Sequence, residues 1–312
     1  MGATAIAEEK ASRDKAETAV KGRESRTIFD ASNPGFKDDF DELPFEFNHC
    51  FTADHPMFQR ERMRKIFDDE RLKHHAYYDH GAIPVDFRWE NLPERKMSST
   101  EVFDSIGNCS GWMMLRHLEK DPEYNELLQQ CLNEVKKLTG RKIDEDQKSQ
   151  EAIIFYSSPN RNTAYHIDRE CNFLMQVSGR KQMNVFNRND RDVTPETEIE
   201  SFWSKDNNAG KYKPEFQDRA FVFEMRPGTG VHIPVNSPHW LRTYDEVSLS
   251  FSISYQYKDS KRKHVYQANY YLRKLGINPT PPGRSALLDN TKRIAVSAGF
   301  AGKNLVKKLK GN

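Results

Sequence analysis

Residues 163–186 read TAYHIDRECNFLMQVSGRKQMNVF, and within them His166 and Asp168 flank a single residue. In an extended strand, side chains at i and i+2 point to the same face, so an imidazole and a carboxylate at this spacing can reach one metal ion. A third ligand must come from elsewhere in the chain. The stretch MRPGTGVHIPVNSPHWL, residues 225–241, supplies His239 between two β-rich runs. These three side chains are the candidate metal ligands.

Two histidines and one carboxylate on one face of an iron ion leave three coordination positions open. That arrangement suits Fe(II), which can then bind both a bidentate 2-oxo acid and dioxygen. An HxD pair alone is weak evidence in a chain with 10 histidines. The residues around the pair therefore decide how it is interpreted.

From about residue 150 the sequence consists of short β-rich runs separated by turn residues. Many short strands predict a mainly β core, as a sandwich or jelly roll. The last run alternates apolar residues with serines, so one face is expected in a core while the serine face lines a pocket. The runs are AIIFYSS (152–158), NFLMQVSG (172–179), KQMNVFN (181–187), AFVFEM (220–225), GVHIPV (230–235), HWLRTY (239–244) and VSLSFSISYQY (247–257).

Helical patterns flank this β-rich part on both sides. Apolar residues recur at helical spacing in HPMFQRERMRKIFDDERL (55–72) and in DPEYNELLQQCLNEVKKLTG (121–140), and the second helix is expected to end at Gly140. We divide the chain into a charged flexible or helical tail (1–35), a mainly helical part packing on the core (36–150), the β core (151–258) and a helical C-terminal extension with a basic amphipathic end (259–312).

The composition favours a cytoplasmic protein. Lys plus Arg total 48 against 46 Asp plus Glu, a balance that gives no support for a specific nucleic-acid partner. The four cysteines form no CxxC pair, as expected of reduced thiols. We expect neither a secretory signal nor a transmembrane segment, because the N-terminus lacks an uninterrupted apolar run and no stretch approaches about 18 apolar residues.

The two metal-ligand stretches together resemble the JmjC-type oxygenases. HIDRECNFLMQVSGRKQMNVF followed by RPGTGVHIPVNSPHW carries HxD, NF, GxK, PG, IP and H in the order typical of that family. The likeness is greatest to the branch with the asparaginyl hydroxylase acting on hypoxia-inducible factor, and to bacterial cupin-like proteins. It covers about a third of the chain, residues 150–258. It implies a double-stranded β-helix of the cupin type with Fe(II), 2-oxoglutarate and dioxygen.

The resemblance also implies roles for particular residues. Those matching the iron ligands are His166, Asp168 and His239. Lys181 matches the lysine that pairs with the distal carboxylate of 2-oxoglutarate, and a cation is what the far end of a chelated dicarboxylate requires. Matches to further groups near the metal or co-substrate are Thr163, Asn172 and Ser254.

The chain departs from the family pattern in two places near the last ligand. Ser254 stands where the related hydroxylase has an asparagine, although a serine can still form a hydrogen bond there. Ser237-Pro238 replaces an aromatic pair before His239, and Trp240 follows it. The pocket wall therefore differs, and the substrate cannot be transferred from the asparaginyl hydroxylase.

The function predicted from these residues is a 2-oxoglutarate-dependent dioxygenase that hydroxylates a protein or peptide residue, or a small molecule, releasing succinate and CO2. Two alternatives stay open: a non-catalytic cupin-like module that binds a metal or ligand, and a metal-dependent cupin with non-oxidative chemistry. Lys181 could also be a strand-edge lysine that limits aggregation, and His232 is more simply explained as structural. For the basic C-terminal helix, packing on the protein, peripheral membrane contact and homodimer formation are the candidate roles.

Overall fold

The computed structural model describes residues 27–91, 94–258 and 261–309, and the side chains of the last helix as far as Gly299. Two antiparallel sheets form its centre, and helices flank them. Of the charged tail predicted for residues 1–35, residues 1–26 lie outside the described residues. The described part therefore begins with the segment that packs on the β core.

The strands of the described residues all pair antiparallel. Seven of them correspond to the seven runs predicted from sequence. They are β1 Phe45–Asn48, β2 Ala76–Asp79, β3 Trp112–Leu115, β4 Gln147–Ser157, β5 Asn162–His166, β6 Cys171–Ser178, β7 Lys181–Val185, β8 Phe221–Met225, β9 Thr229–Ile233, β10 His239–Thr243 and β11 Ser248–Tyr257.

The helices lie mainly before β4 and after β11. Within the described residues, none of them combines the length and apolar character that crossing a bilayer requires. The α-helices are α1 Gly35–Asp38, α2 Arg60–Phe67, α3 Ser99–Asp104, α4 Pro122–Thr139, α5 Ile143–Asp146, α6 Glu196–Ser204, α7 Lys261–Lys274 and α8 Ala286–Leu309. The 3-10 helices are Pro56–Phe58, Lys73–His75, Trp89–Asn91, Leu118–Lys120 and Pro214–Arg219.

The two sheets are a seven-stranded sheet in the order β1-β9-β6-β11-β4-β3-β2 and a four-stranded sheet in the order β5-β10-β7-β8. Alternation along β6 separates two packing layers, because successive side chains in a strand face opposite ways. Leu174 packs with Val185 and Leu241 of the smaller sheet, whereas Phe173 and Met175 pack on the outer face of the larger one. The space between the sheets thus has a small apolar core.

The outer face of the larger sheet is covered by the N-terminal segment and α4. Rings of Phe29, Phe36 and Phe47 surround Phe173, with ring centroids between 5.8 and 6.3 Å from it. Aromatic pairs at such spacing add to the apolar burial of each ring. Most of the apolar core lies on this outer face, so the N-terminal part is integral to the stability of the sheet.

Helix α4 has the boundaries that its sequence predicts. The Asp121 side chain accepts hydrogen bonds from the backbone N–H groups of Glu123 and Tyr124, which caps the first turn. Pro122 occupies the first turn, where its missing N–H costs nothing. Gly140 ends the helix with a φ of 66°, a left-handed conformation that glycine adopts without strain. Its buried face packs on the main core.

The segment 36–150 is less helical than expected, because it also supplies β1, β2 and β3. Each of these strands has only four residues, too few for alternation to be recognised in the sequence. The helix predicted over 55–72 is shorter than expected, spanning Arg60–Phe67. It is preceded by a 3-10 turn because the His55 side chain accepts from the backbone of Met57, and Gln59 is extended.

A turn in the N-terminal segment is fastened to the loop that precedes His239. The backbone N–H of Asp41 donates to Nε2 of His232, and Oδ1 of Asp41 accepts from the backbone of Val235, at 2.9 and 3.0 Å. Arg188, 6% exposed, forms an ion pair with Asp41 at 3.2 Å. Burial nevertheless raises the pKa of Asp41 above its usual value. His232 therefore has the structural role that the sequence suggested.

The β6–β7 turn depends on Gly179, whose φ is 72°. A Cβ at this position would lie 2.2 Å from the backbone oxygen of Val247, so alanine adds a collision to the conformational strain. Gly140 has a similar φ of 66° and open space around it. We expect Gly179→Ala to lower the free energy of unfolding by at least about 3 kcal/mol, against about 1 kcal/mol for Gly140→Ala.

Urea denaturation of both variants measures this difference. Because the two glycines share the left-handed conformation, the control isolates the collision with Val247. Equal losses of stability would contradict the role assigned to close packing at the β6–β7 turn.

Candidate metal centre and its cavity

The three candidate ligands come together where β5 and β10 pair. His239 lies opposite His166 in the antiparallel register, and the ring centroids are 4.1 Å apart. One potential ligand atom from each of His166, Asp168 and His239 lies within 4.8 Å of the others, so the group could hold a metal ion. Strand β5 ends at His166, so Asp168 stands just beyond the strand rather than within it, as the spacing argument assumed.

Hydrogen bonds orient both imidazoles toward the carboxylate. Nδ1 of His166 lies 2.7 Å from the carbonyl of Ala164, and Nδ1 of His239 lies 3.0 Å from that of Ser237. A carbonyl only accepts, so each Nδ1 carries a proton, and in the neutral ring the lone pair that can bind a metal is then on Nε2. The Nε2 atoms lie 3.9 and 3.8 Å from the two carboxylate oxygens of Asp168, a spacing that leaves room for a shared cation.

Asn172 holds the carboxylate of Asp168 in place. Its Nδ2 donates to Oδ2 of Asp168 at 2.9 Å. The backbone carbonyl of Asp168 also accepts from the N–H of Asn236. These bonds fix a ligand that lies outside regular secondary structure. Burial, with His166 beside it, holds the pKa of His239 well below its usual range, so the neutral form that can bind a metal prevails.

Lys181 lies in the interior of the smaller sheet. Strand β7 pairs with β10 on one side and β8 on the other, so the interpretation as a strand-edge lysine is wrong. The residue is 4% exposed, and burial lowers the pKa of its ammonium to about 7. Among the described residues, no carboxylate lies within ion-pair distance of it. An amine in this position is a ready partner for an anion that enters the cavity.

The two predicted hydroxyl groups lie in the same cavity. Thr163 is on β5, three residues before His166. Ser254 is fully buried on β11, and its Oγ has no hydrogen-bond partner among the described residues. A buried hydroxyl without a partner costs stability unless a ligand or water satisfies it. Of the predicted serine face, Ser252 and Ser254 line the cavity, while Ser248 and Ser250 are hydrogen-bonded to Gln176.

One cavity of about 640 Å³ connects all these groups. Its apolar lining residues include Ile153, Phe155 and Leu241. The predicted site residues that line it are Thr163, His166, Asp168, Asn172, Lys181, His239 and Ser254. The structure therefore brings together every residue that the sequence singled out for metal or co-substrate binding.

The cavity is also lined by charged residues that the sequence did not indicate. Arg116 forms a two-point ion pair with Glu151, with N–O distances of 2.7 and 2.5 Å. Glu170 accepts from Gln256 at 2.6 Å, and burial beside Asp168 raises its pKa. Arg169 stacks on Phe202, 4.4 Å from the ring centroid. Of these charged residues, only Glu170 has a sequence signal that places it near the site, since it follows Asp168 by two residues.

Comparison with known proteins identifies the fold. No family model matches the chain, and no curated protein matches its sequence. Two solved structures of the Escherichia coli protein YcfD, one described as a ribosomal oxygenase, superimpose with TM-scores of 0.52 and 0.50, at 14% and 13% identity. They cover 88% of this chain and 69% and 68% of their own. The expected likeness to such oxygenases is confirmed for the fold.

A further structure of YcfD, in complex with cobalt and 2-oxoglutarate, has a TM-score of 0.47 at 13% identity. It covers 84% of this chain and 64% of its own. The first two comparisons establish a shared fold, and the chemistry must be argued from the residues of this chain.

The metal centre can be tested by calorimetric titration with Co(II). Asp168→Ala is expected to abolish binding because it removes the carboxylate between the two imidazoles. Asn172→Ala leaves all three ligands and should weaken binding by roughly 10- to 100-fold, the effect typical of a group that orients a ligand. His74→Ala, at an exposed histidine, is the control. Binding that survives in Asp168→Ala would place the metal elsewhere.

Proposed function

We propose that this protein is an Fe(II)- and 2-oxoglutarate-dependent dioxygenase built on a double-stranded β-helix. Strands β4 to β11 support that fold, because they pass repeatedly between the larger and the smaller sheet, and β7 and β8, joined by the connection that contains α6, are antiparallel neighbours in the smaller one. The observation that carries the proposal is the pairing of a two-histidine, one-carboxylate group with Lys181 inside one cavity. The first feature can bind a metal cation, and the second can bind an anion.

The donor set fits Fe(II). Two neutral imidazole nitrogens and one carboxylate oxygen on one side of an ion leave its other positions open. Bound Fe(II) would supply the activation of dioxygen that hydroxylates an unactivated C–H bond, with conversion of 2-oxoglutarate to succinate and CO2. The protein contributes the position of these ligands and the apolar walls that restrict water.

Each remaining site residue has a role that its contacts support. Asn172 fixes Asp168 through the bond to Oδ2. Lys181 would pair with the far carboxylate of 2-oxoglutarate, because a buried ammonium gains most from a charged partner. Thr163 and Ser254 would donate hydrogen bonds to the co-substrate, and the unpaired Oγ of Ser254 is available for this. We assign His166, Asp168 and His239 to the metal.

The substrate is a protein or peptide residue, or a small molecule that fits the cavity. The description of the Escherichia coli protein as a ribosomal oxygenase favours the first class. A cavity of about 640 Å³ accommodates a co-substrate and one entering side chain. A non-catalytic binding module stays as the alternative. In that case the site would bind a metal or ligand without converting 2-oxoglutarate to succinate.

We also propose a cytoplasmic location and self-association through the C-terminal helices. Apolar residues exposed on α7, α8 and the connection between them support self-association, since such a surface commonly marks an interface. They include Leu275, Leu287 and Ile294, exposed by 76%, 76% and 70%. The basic residues from Lys303 onward, on which a membrane contact would depend, lie beyond the described side chains. The domain boundaries at 35, 150 and 258 remain proposals.

Formation of succinate is the direct test of the enzyme. The purified protein with Fe(II), ascorbate, air and 2-oxoglutarate is expected to form succinate slowly without substrate, and His166→Ala should lose at least about 100-fold of this rate because a metal ligand is gone. His74→Ala is the matched control. If the protein binds 2-oxoglutarate anaerobically yet forms no succinate, the binding module becomes the better description.

The pKa of Lys181 predicts how co-substrate binding depends on pH. The ammonium loses its proton as the pH rises through about 7, and only the cation attracts a dicarboxylate. The apparent affinity for 2-oxoglutarate should therefore fall as the pH rises above 7, by up to about tenfold per unit. Titration of the Co(II)-loaded protein between pH 6 and 9 measures this.

Two variants separate the charge of Lys181 from its size. Lys181→Arg stays cationic over this range and should bind with little dependence on pH. Lys181→Met should bind at least about 100-fold more weakly at pH 6 while melting at a higher temperature, because an unpaired buried amine is replaced by an apolar side chain. Normal binding in Lys181→Met would remove the residue from the site.

A further inference from the structure

Strand β2 forms an edge of the larger sheet at the mouth of the cavity. It pairs with β3 alone, at the end of the strand order. Three consecutive residues of this strand, Tyr77, Tyr78 and Asp79, line the cavity. Because successive side chains point to opposite faces, a cavity lined by all three reaches the edge of the strand and not only one face. The open edge and the metal centre therefore share one cavity.

The hydrogen-bond register shows which backbone groups of β2 face outward. The N–H of Arg116 donates to the carbonyl of His75 directly opposite. In an antiparallel pair, bonded and non-bonded positions alternate, so Tyr77 and Asp79 also bond to β3 while Tyr78 does not. Outside the β2–β3 pairing, no backbone hydrogen bond of the described residues involves Tyr78. One donor and one acceptor thus point away from the sheet.

The edge lacks two of the usual protections against strand addition. The segment AYYD contains neither proline nor lysine, and its register with β3 is continuous, without a bulge. Arg95 lies 4.6 Å from the centroid of the Tyr78 ring, so its contact is with the side chain. Tyr77 is 46% exposed beside the same edge. A short extended partner can therefore pair here.

We propose that the edge of β2 binds an extended peptide segment, which adds a strand to the larger sheet and directs one side chain into the cavity. Main-chain bonds to Tyr78 give affinity that is independent of the peptide sequence, and the cavity selects the entering side chain. The inference rests on the proposed function, and it assigns the substrate to polypeptides rather than to small molecules. Tyr78 acts here as a binding residue through its backbone.

The first experiment uses pools of short random synthetic peptides with the Co(II)- and 2-oxoglutarate-loaded protein. One pool has ordinary amides, and a matched pool has every backbone amide N-methylated, which removes donors and blocks strand pairing. Peptides retained on the immobilised protein are quantified by mass spectrometry. We expect the N-methylated pool to be retained at least about tenfold less. Equal retention of the two pools would overturn strand addition.

Two variants at one position test the site itself. Tyr78→Pro removes the outward N–H without touching a bond to β3, a change that an edge strand tolerates. It should lower peptide retention about tenfold, whereas Tyr78→Ala keeps the backbone donor and should stay within about threefold of wild type. Melting temperatures check that both variants fold. Unchanged retention in Tyr78→Pro would overturn the assignment to β2.

Hydrogen exchange on the wild-type protein gives a readout that needs no variant. In the free protein the amide of Tyr78 should exchange faster than those of Tyr77 and Asp79. A retained peptide should slow exchange at Tyr78 by about tenfold or more. The proposal fails if no peptide is retained, or if the retained peptides leave exchange at Tyr78 unchanged. It also fails if sedimentation shows that Tyr78→Pro dissociates a dimer, because the edge of β2 is then occupied by a second copy of the chain.

The outcomes also separate this inference from the oxygenase proposal. Succinate formation is measured in the same wild-type preparation without peptide. Succinate formation without peptide retention would keep the oxygenase and overturn the docking edge. Peptide retention and protection of Tyr78 without succinate would keep the docking edge and overturn the oxygenase.

Discussion

The antiparallel register between β5 and β10 is the constraint on which the site depends. It sets His166 opposite His239, and the two rings then meet only because both side chains face the cavity. A slip of one residue would turn one imidazole to the other side of the sheet. The register is supported by the second neighbour of β10, since β7 pairs with all five of its residues. The same pairing places Lys181 in the interior of the sheet.

The sequence predicted which residues meet in the cavity better than it predicted their surroundings. The seven strand runs were recognisable as short β-rich stretches separated by turn residues. The residues implied by the family resemblance all line one cavity. The geometry of Asp168 was predicted less well, because its position depends on Asn172 and on the loop at Asn236 rather than on a strand.

The parts that the sequence did not reveal depend on contacts between distant segments. The ion pair of Arg116 with Glu151 joins residues 35 positions apart, and neither residue has a local pattern that marks it. Strands β1 to β3 have four residues each, so their pairing partners rather than their own periodicity make them strands. Whether Lys181 lay at an edge or in the interior could be decided only by the strand order.

The fastening of Asp41 to His232 and Val235 has a consequence for how the protein can be divided. The turn that carries Asp41 belongs to the N-terminal segment, yet it braces the loop leading into His239. The aromatic rings that cover the larger sheet come from the same segment. A fragment cut to residues 151–258 would contain every residue assigned to metal or co-substrate and would still lack the support that shapes them. The smallest unit that can form this site is thus larger than its motif, and recombination at residue 150 would separate the candidate ligands from the segment that supports them.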